Sequence, residues 1–116
     1  MQTDILVIGG GPAGIASAIT AQQFYPAKKV MLMKSIPHGC VPCGIPYMVA
    51  SLQDPRDNQV TNALLTKNKI TVVSDQATAI NRSHKEVRTV TGAVYGYEKL
   101  ILATGSSPIL PPITGI

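Results

Sequence analysis

Large aromatic side chains are nearly missing from this chain, which has no Trp, a single Phe (Phe24) and four Tyr in 116 residues. Platforms that stack nucleic-acid bases are built from such rings, so the sequence points away from nucleic acid as a partner. Charged residues are also sparse, 14% against 45% hydrophobic, which excludes a disordered chain and describes one that buries a core. The net charge of +4 is scattered from Lys28 to Lys99 without a basic run, a balance that a nucleotide cofactor accounts for. No apolar stretch approaches the roughly 20 residues of a membrane span, so no membrane partner is expected. Met1-Gln2-Thr3-Asp4 carries an acid where a secretory signal needs bases, and the apolar run that follows stops at three glycines. The expectation is a cytoplasmic protein. Cysteine is limited to Cys40 and Cys43, three positions apart, which in that compartment points to redox or metal chemistry before a structural disulfide. The length suits one domain but not two separate nucleotide sites, so the chain reads as a piece of a larger protein.

What is present has a clear order. Ile5-Leu6-Val7-Ile8 is a continuous apolar run ending in Gly9-Gly10-Gly11-Pro12, the pattern of a buried strand meeting a tight turn. Pro12 suits a first helical turn, and Ala13 to Ala21 predicts a helix ending near Tyr25-Pro26. A second apolar run, Val30 to Met33, completes a βαβ unit with parallel strands and a right-handed crossover over residues 4 to 34. Pro37, Gly39, Pro42, Gly44 and Pro46 exclude regular structure from Ser35 to Pro46, with a short helix expected around Tyr47 to Leu52. Asp57 to Thr66 predicts another helix, with Val60, Ala63 and Leu64 on one face, leading to a third parallel strand at Ile70 to Val73. Ala77 to Asn81, Glu86 to Thr91 and Ala93 to Tyr97 predict a three-stranded β-meander, followed by a final strand at Leu100 to Ala103 and an extended exit through Pro108, Pro111 and Pro112. The fold class is therefore α/β, a Rossmann-like parallel sheet with crossover helices plus a meander.

Gly9, Gly11 and Gly14 form G-x-G-x-x-G directly after a strand and at the mouth of a helix, the setting that gives this short pattern its weight. Gly9 allows the tight turn, Gly11 lets backbone approach a pyrophosphate, and Gly14 allows close helix–sheet packing. The helix amino terminus then favours the phosphate charge. The same pattern expects an acid about 20 residues on to hydrogen-bond the adenosine ribose. Lys34 stands there instead, and an ammonium is donor-only. That departure reads as a site for a phosphorylated ribose, as a degraded site, or as a solvated lysine at a strand end.

Asp4-Ile5-Leu6-Val7-Ile8-Gly9-Gly10-Gly11-Pro12-Ala13-Gly14 resembles the start of the FAD-dependent pyridine nucleotide-disulfide oxidoreductases, and Tyr97-Glu98-Lys99-Leu100-Ile101-Leu102-Ala103-Thr104-Gly105 resembles their second signature. The two agree in order and spacing, and the resemblance covers essentially the whole chain. It implies that residues 1–116 are the amino-terminal part of an FAD-binding domain, with Gly9, Gly11, Pro12, Ala13, Gly14, Ala103, Thr104 and Gly105 around the cofactor, Lys34 at the ribose corner and Ala77 where a backbone contact to the adenine falls. NAD(P)H is the implied electron donor. The resemblance further implies an NAD(P)H domain and a dimerisation domain outside this chain, a homodimer when full length, and no turnover from this part alone.

Cys43-Gly44-Ile45-Pro46-Tyr47 resembles the active-site segment of the single-cysteine branch, which includes coenzyme A-disulfide reductases, NADH oxidases, NADH peroxidases and persulfide reductases. The chain departs from that branch in His38-Gly39-Cys40-Val41-Pro42, where a second thiol stands. On the residues alone, a cysteine in a Gly/Pro-rich turn that opens a helix sits where backbone N–H groups favour the thiolate. Cys40-x-x-Cys43 also has the spacing of a dithiol that can cycle to a disulfide. Three readings stay open: a redox-active Cys43 with Cys40 as an optional resolving partner, two inert cysteines, or a metal site, for which His38 would make only three nearby ligands. His38 and His84 are given no catalytic role. The implied substrates are small: a thiol or disulfide, a persulfide, a peroxide or oxygen. A nucleotide-binding module of the NAD(P) type without redox chemistry is the alternative.

Overall fold

Two neighbouring apolar runs, Ile5–Ile8 and Val30–Met33, must be covered on both faces, and the fold is organised around that demand. In the computed structural model, which describes residues 1–37, 39–107, 109 and 111–113, β1 (Gln2–Ile8) and β2 (Val30–Lys34) lie parallel, with Ile5 opposite Val30 and Ile8 opposite Met33. Helix α1 (Pro12–Phe24) joins them; it begins on Pro12 and ends at Tyr25, one residue before Pro26. Side chains alternate across the sheet. Ile5, Val7, Val30 and Leu32 face α1, packing with Ile15 and Ala18, while Leu6, Ile8, Met31 and Met33 face the other way.

Further along come β3 (Gly39–Cys40), a 3-10 turn at Pro42–Gly44, α2 (Ile45–Ala50), a second 3-10 turn at Pro55–Asn58, β4 (Gln59–Val60) and α3 (Ala63–Lys67). The chain then forms β5 (Thr71–Ser74), β6 (Ala77–Asn81), β7 (Glu86–Thr89) and β8 (Val94–Leu102). The main sheet has six strands in the order β5-β2-β1-β8-β7-β6. Its first four run parallel and the last two return antiparallel. Leu65 and Ile70 complete the α1-side core, and Val87, Tyr95 and Tyr97 from the meander cover the opposite face. Each fully buried Leu or Val in these two layers contributes about 1.5–3 kcal/mol of transfer free energy.

Three expectations are corrected. The segment from Ser35 to Pro46 does carry regular structure, because β3 pairs antiparallel with β4, Gly39 opposite Val60 and Cys40 opposite Gln59. The helix expected over Asp57–Thr66 is confined to Ala63–Lys67: Asp54 caps a 3-10 turn by accepting from the Arg56 amide at 2.8 Å, and Gln59–Val60 is drawn into the ribbon with β3. The buried residue of α3 is Leu65, 1% exposed, while Leu64 is 53% exposed. Finally, the third meander strand and the terminal strand are one element. The nine residues of β8 pair antiparallel with β7 over Val94–Gly96 and parallel with β1 from Gly96 to Leu102, so a single strand serves both ladders. Pro108, in the expected exit, lies outside the described residues.

Leu65→Ala is expected to destabilise the fold by about 2–5 kcal/mol, as emptying a closed site does. Leu64→Ala is expected to stay within about 1 kcal/mol, as an exposed position should. Urea unfolding of the two variants side by side measures the contrast, and the reverse ranking would contradict this register of α3.

Candidate functional site

The carboxyl ends of β2, β1 and β8 meet at the glycine turn. β1 leads into α1 and β2 on one side, while its other neighbour is β8, so the chain diverges between β1 and β8 in the crevice where open α/β sheets bind ligands. The Gly9 amide donates to the Met33 carbonyl at 2.8 Å, and the Ala103 amide donates to the Ile8 carbonyl at 2.8 Å. Gly9 has φ +121°, and a Cβ there would overlap the Ala103 carbonyl. Gly14 is held equally closely, since its Cβ would overlap the Gly9 carbonyl. Gly11 differs from both. It has ordinary extended backbone, φ −78° and ψ 178°, and among the described residues nothing lies within 4 Å of where its Cβ would stand. The close-contact glycines thus shape the turn, and Gly11 leaves an open approach to it.

Helix α1 opens this approach electrically. Gly11 is its N-cap, no side chain among the described residues caps it, and no acid occupies its first turn. First-turn N–H groups have no intrahelical acceptor, so that of the exposed Ala13, beside the exposed Pro12, is a donor available to an anion, while Gly14 is buried behind it. Ala103 sits against the turn, with its Cβ 3.5 Å from the site of a Gly14 Cβ, and Thr104 and Gly105 follow it, exposed. The fold therefore brings the two sequence signatures, about 90 residues apart along the chain, to one edge.

Lys34 is the departure from expectation. The solvated strand-end reading is corrected: the residue is only 7% exposed, and its Nζ donates to the Pro37 carbonyl at 2.6 Å. Its stem lies over the glycine turn, where a Cβ on Gly10 would come within 2.8 Å of Lys34 Cβ and Cδ. Burial pushes the Lys34 amine below its ordinary value. Next to it, the Asp75 amide donates to the Lys34 carbonyl at 3.1 Å, and the Thr91 hydroxyl, donating to Asp75 at 2.5 Å, holds that carboxyl below the usual carboxylate range. Ala77, the expected adenine contact, begins β6 two residues further on and is half-buried against the meander-side core.

Cys40 and Cys43 lie on an arm that leaves the same edge after β2. Both are exposed, free thiols, Cys40 in β3 and Cys43 inside the 3-10 turn that runs directly into α2. The arm is latched by Asn58, which sequence reasoning missed. Its amide Nδ2 donates to the Val41 carbonyl at 3.0 Å and contacts Met48 Sδ at 3.1 Å, while the Asn58 carbonyl accepts from the Val41 amide at 3.2 Å. Gly44 is required beside it, because a Cβ there would overlap the Asn58 side chain. No short motif links Asn58 to the cysteines, so no sequence signal was available for it. Among the described residues no group of three or more His, Cys, Asp or Glu side chains is placed to hold a metal, and His38 lies outside those residues. No helix among them is long and apolar enough to cross a membrane.

An uncapped helix behind a three-glycine turn, joined by an Ala-Thr-Gly segment at the switch point, defines a dinucleotide-binding α/β protein. Residues 3–116 match the family described as pyridine nucleotide-disulphide oxidoreductase, and the chain belongs to that family. Its members bind FAD and use NAD(P)H as electron donor. The chain is 30% identical over 106 residues to a sulfide-quinone reductase of Aquifex aeolicus, covering 90% of this chain and 25% of that protein. It is 28% identical to an NAD(P)H coenzyme A polysulfide/persulfide reductase of Pyrococcus horikoshii, covering 100% of this chain and 27% of that one. Among solved structures, an NAD-dependent persulfide reductase from A. fulgidus superposes with a TM-score of 0.85 at 28% identity, covering 97% of this chain and 23% of that one. The chain spans about a quarter of the length of these relatives.

The glycine contacts separate two classes of substitution. Gly9→Ala is expected to cost more than about 3 kcal/mol, through backbone overlap added to a positive φ. Gly11→Ala is expected to cost about 1 kcal/mol or less, the usual effect at an N-cap. Thermal unfolding distinguishes them, and equal losses would show that the turn is not packed as described.

Proposed function

We propose that this chain is the FAD-binding segment of an NAD(P)H-dependent flavoprotein that reduces a disulfide, persulfide, peroxide or oxygen through Cys43, with Cys40 as an optional resolving partner. The observation that carries this reading is the arrangement at one sheet edge: an open glycine turn and uncapped helix for a dinucleotide, beside the root of an arm that exposes two thiols. The names of the Pyrococcus and A. fulgidus relatives favour sulfur substrates. As a whole, the protein acts as a cytoplasmic homodimer.

In this reading Gly11, Ala13 and Gly14 present backbone to the pyrophosphate, and Ala103, Thr104 and Gly105 flank it. Ala77 takes the adenine. FAD, when bound, supplies the two-electron link between NAD(P)H and sulfur. The Cys43 thiolate attacks a sulfur of a disulfide R–S–S–R′, forming Cys43–S–S–R and releasing R′S⁻. Cys40 then attacks the Cys43 sulfur, closing the Cys40–Cys43 disulfide and releasing RS⁻. Restoring the dithiol takes two electrons, the equivalent of one NAD(P)H. Cys43 is assigned the first attack because it stands in the Cys43-Gly44-Ile45-Pro46-Tyr47 segment that resembles the single-cysteine branch, exposed in the turn feeding α2, whereas Cys40 lies in β3.

In the intact protein, Gly11→Leu should fold yet lose its flavin, and a protein that stays yellow would count against the site. Cys43→Ser should lower NAD(P)H-dependent disulfide or persulfide reduction about a thousandfold or more with flavin retained, and Cys40→Ser should do less harm. Reduction that survives Cys43→Ser but not Cys40→Ser would reverse the two roles, and two silent substitutions would end the redox reading.

A further inference from the structure

The nucleotide reading leaves Lys34 unexplained, because the end of β2 is where a ribose acceptor is expected and this side chain cannot accept. Three observations bear on what it does instead. The residue is only 7% exposed and its Nζ is part-buried, yet among the described residues it has no carboxylate within ion-pair distance, only the Pro37 carbonyl. An ammonium carries three donors, and a buried cation without a counter-charge is costly unless a ligand supplies one. Lys34 shares its alternation with Val30 and Leu32, so its side chain leaves the sheet on the α1 face, toward the helix whose first turn lacks an acid and a cap. Its stem then crosses Gly10 in the middle of the glycine turn.

We propose that Lys34 is an anion-recognition residue of this site, exchanging the Pro37 carbonyl for a phosphate oxygen of the bound dinucleotide. The inference rests on the nucleotide reading above. It makes the site a charge-assisted phosphate clamp, with α1 N–H groups on one side and an ammonium on the other, in place of a site that grips the ribose diol through an acid. In FAD that phosphate is the pyrophosphate; a phosphate on the adenosine ribose, which FAD lacks, would instead mark an NADP-type dinucleotide as the occupant.

The test uses the intact protein stripped of flavin, with adenosine, ADP and 2′,5′-ADP as competitors of FAD rebinding. Lys34→Met keeps the stem over Gly10 and removes the charge; Lys34→Arg keeps the charge. If the pyrophosphate is the partner, Lys34→Met should weaken ADP tenfold or more, leave adenosine unchanged, and flatten the salt dependence, with Lys34→Arg restoring both. If the partner is a ribose phosphate, 2′,5′-ADP should weaken selectively by the same factor and ADP should not. Lys34→Met binding both nucleotides as tightly as the parent overturns the inference, as does an equal loss of adenosine, which would mark a purely structural role. FAD binding that persists in those cases leaves the proposed function standing; a parent protein that takes neither FAD nor any of the nucleotides overturns that function instead.

Discussion

Backbone contact at Gly9 is the constraint on which the rest of the site depends. One residue bonds the end of β2 through its amide, touches Gly14 through its carbonyl, and leaves no room for a side chain beside the Ala103 carbonyl. Three elements distant in sequence are therefore indexed to one another through main-chain atoms. Main-chain indexing is insensitive to which apolar residues fill the two cores, provided they fill them. It also explains why the open position is Gly11: the turn is already closed by its neighbours, so the packing of the described residues does not require the absence of a side chain there.

The parts of this architecture visible in sequence are those with a short physical period. Ile5–Ile8 and Val30–Met33 are apolar at every position because α1 covers one face and the meander the other, and that double cover reads directly as two buried parallel strands. The glycine spacing, the Ala103-Thr104-Gly105 segment and the two cysteines were legible for the same reason: each is a local pattern. What was not legible depends on partners far away. Gln59–Val60 has no helix-breaking residue, and only its pairing with Gly39–Cys40 removes it from the helix that the pattern around Val60, Ala63 and Leu64 predicts. The break expected between Tyr97 and Leu100 is absent because β1 holds Gly96 to Leu102 in continuous register. Lys34 looked solvated because sequence shows its charge but not the stem lying over Gly10.

Support differs sharply between the two halves of the candidate site. The glycine turn stands on the ends of β1 and β2, where Ile5–Ile8 and Val30–Lys34 are buried throughout. The cysteine arm has no buried residue in α2, and Ile45, Tyr47 and Val49 on that helix are 48%, 59% and 89% exposed. What holds the arm is polar and local: the Asn58 bonds to Val41, the two-residue β3–β4 ribbon, and the Asp54 cap. A segment with few apolar contacts opens at lower free energy than the core. That difference suits the chemistry proposed above, in which a thiol that attacks one partner and is then attacked by another must reach two positions, whereas a cofactor turn must keep one.

Lys34 is the bond between these two regimes. Its backbone ends β2 in the rigid sheet, and its ammonium holds the Pro37 carbonyl, three residues along the loop that becomes the arm. In the proposed exchange the ammonium leaves that carbonyl for a phosphate, so ligand binding at the glycine turn and anchoring of the arm would draw on the same charge. Linkage makes the relation reciprocal: whatever the nucleotide does to the root of the arm, the position of the arm does to nucleotide affinity. An acid at the end of β2 cannot couple the two in this way, because it offers the Pro37 carbonyl no hydrogen bond. Under that proposal Lys34, which offers a ribose no acceptor, ties the glycine turn to the root of the cysteine arm through one hydrogen bond to Pro37.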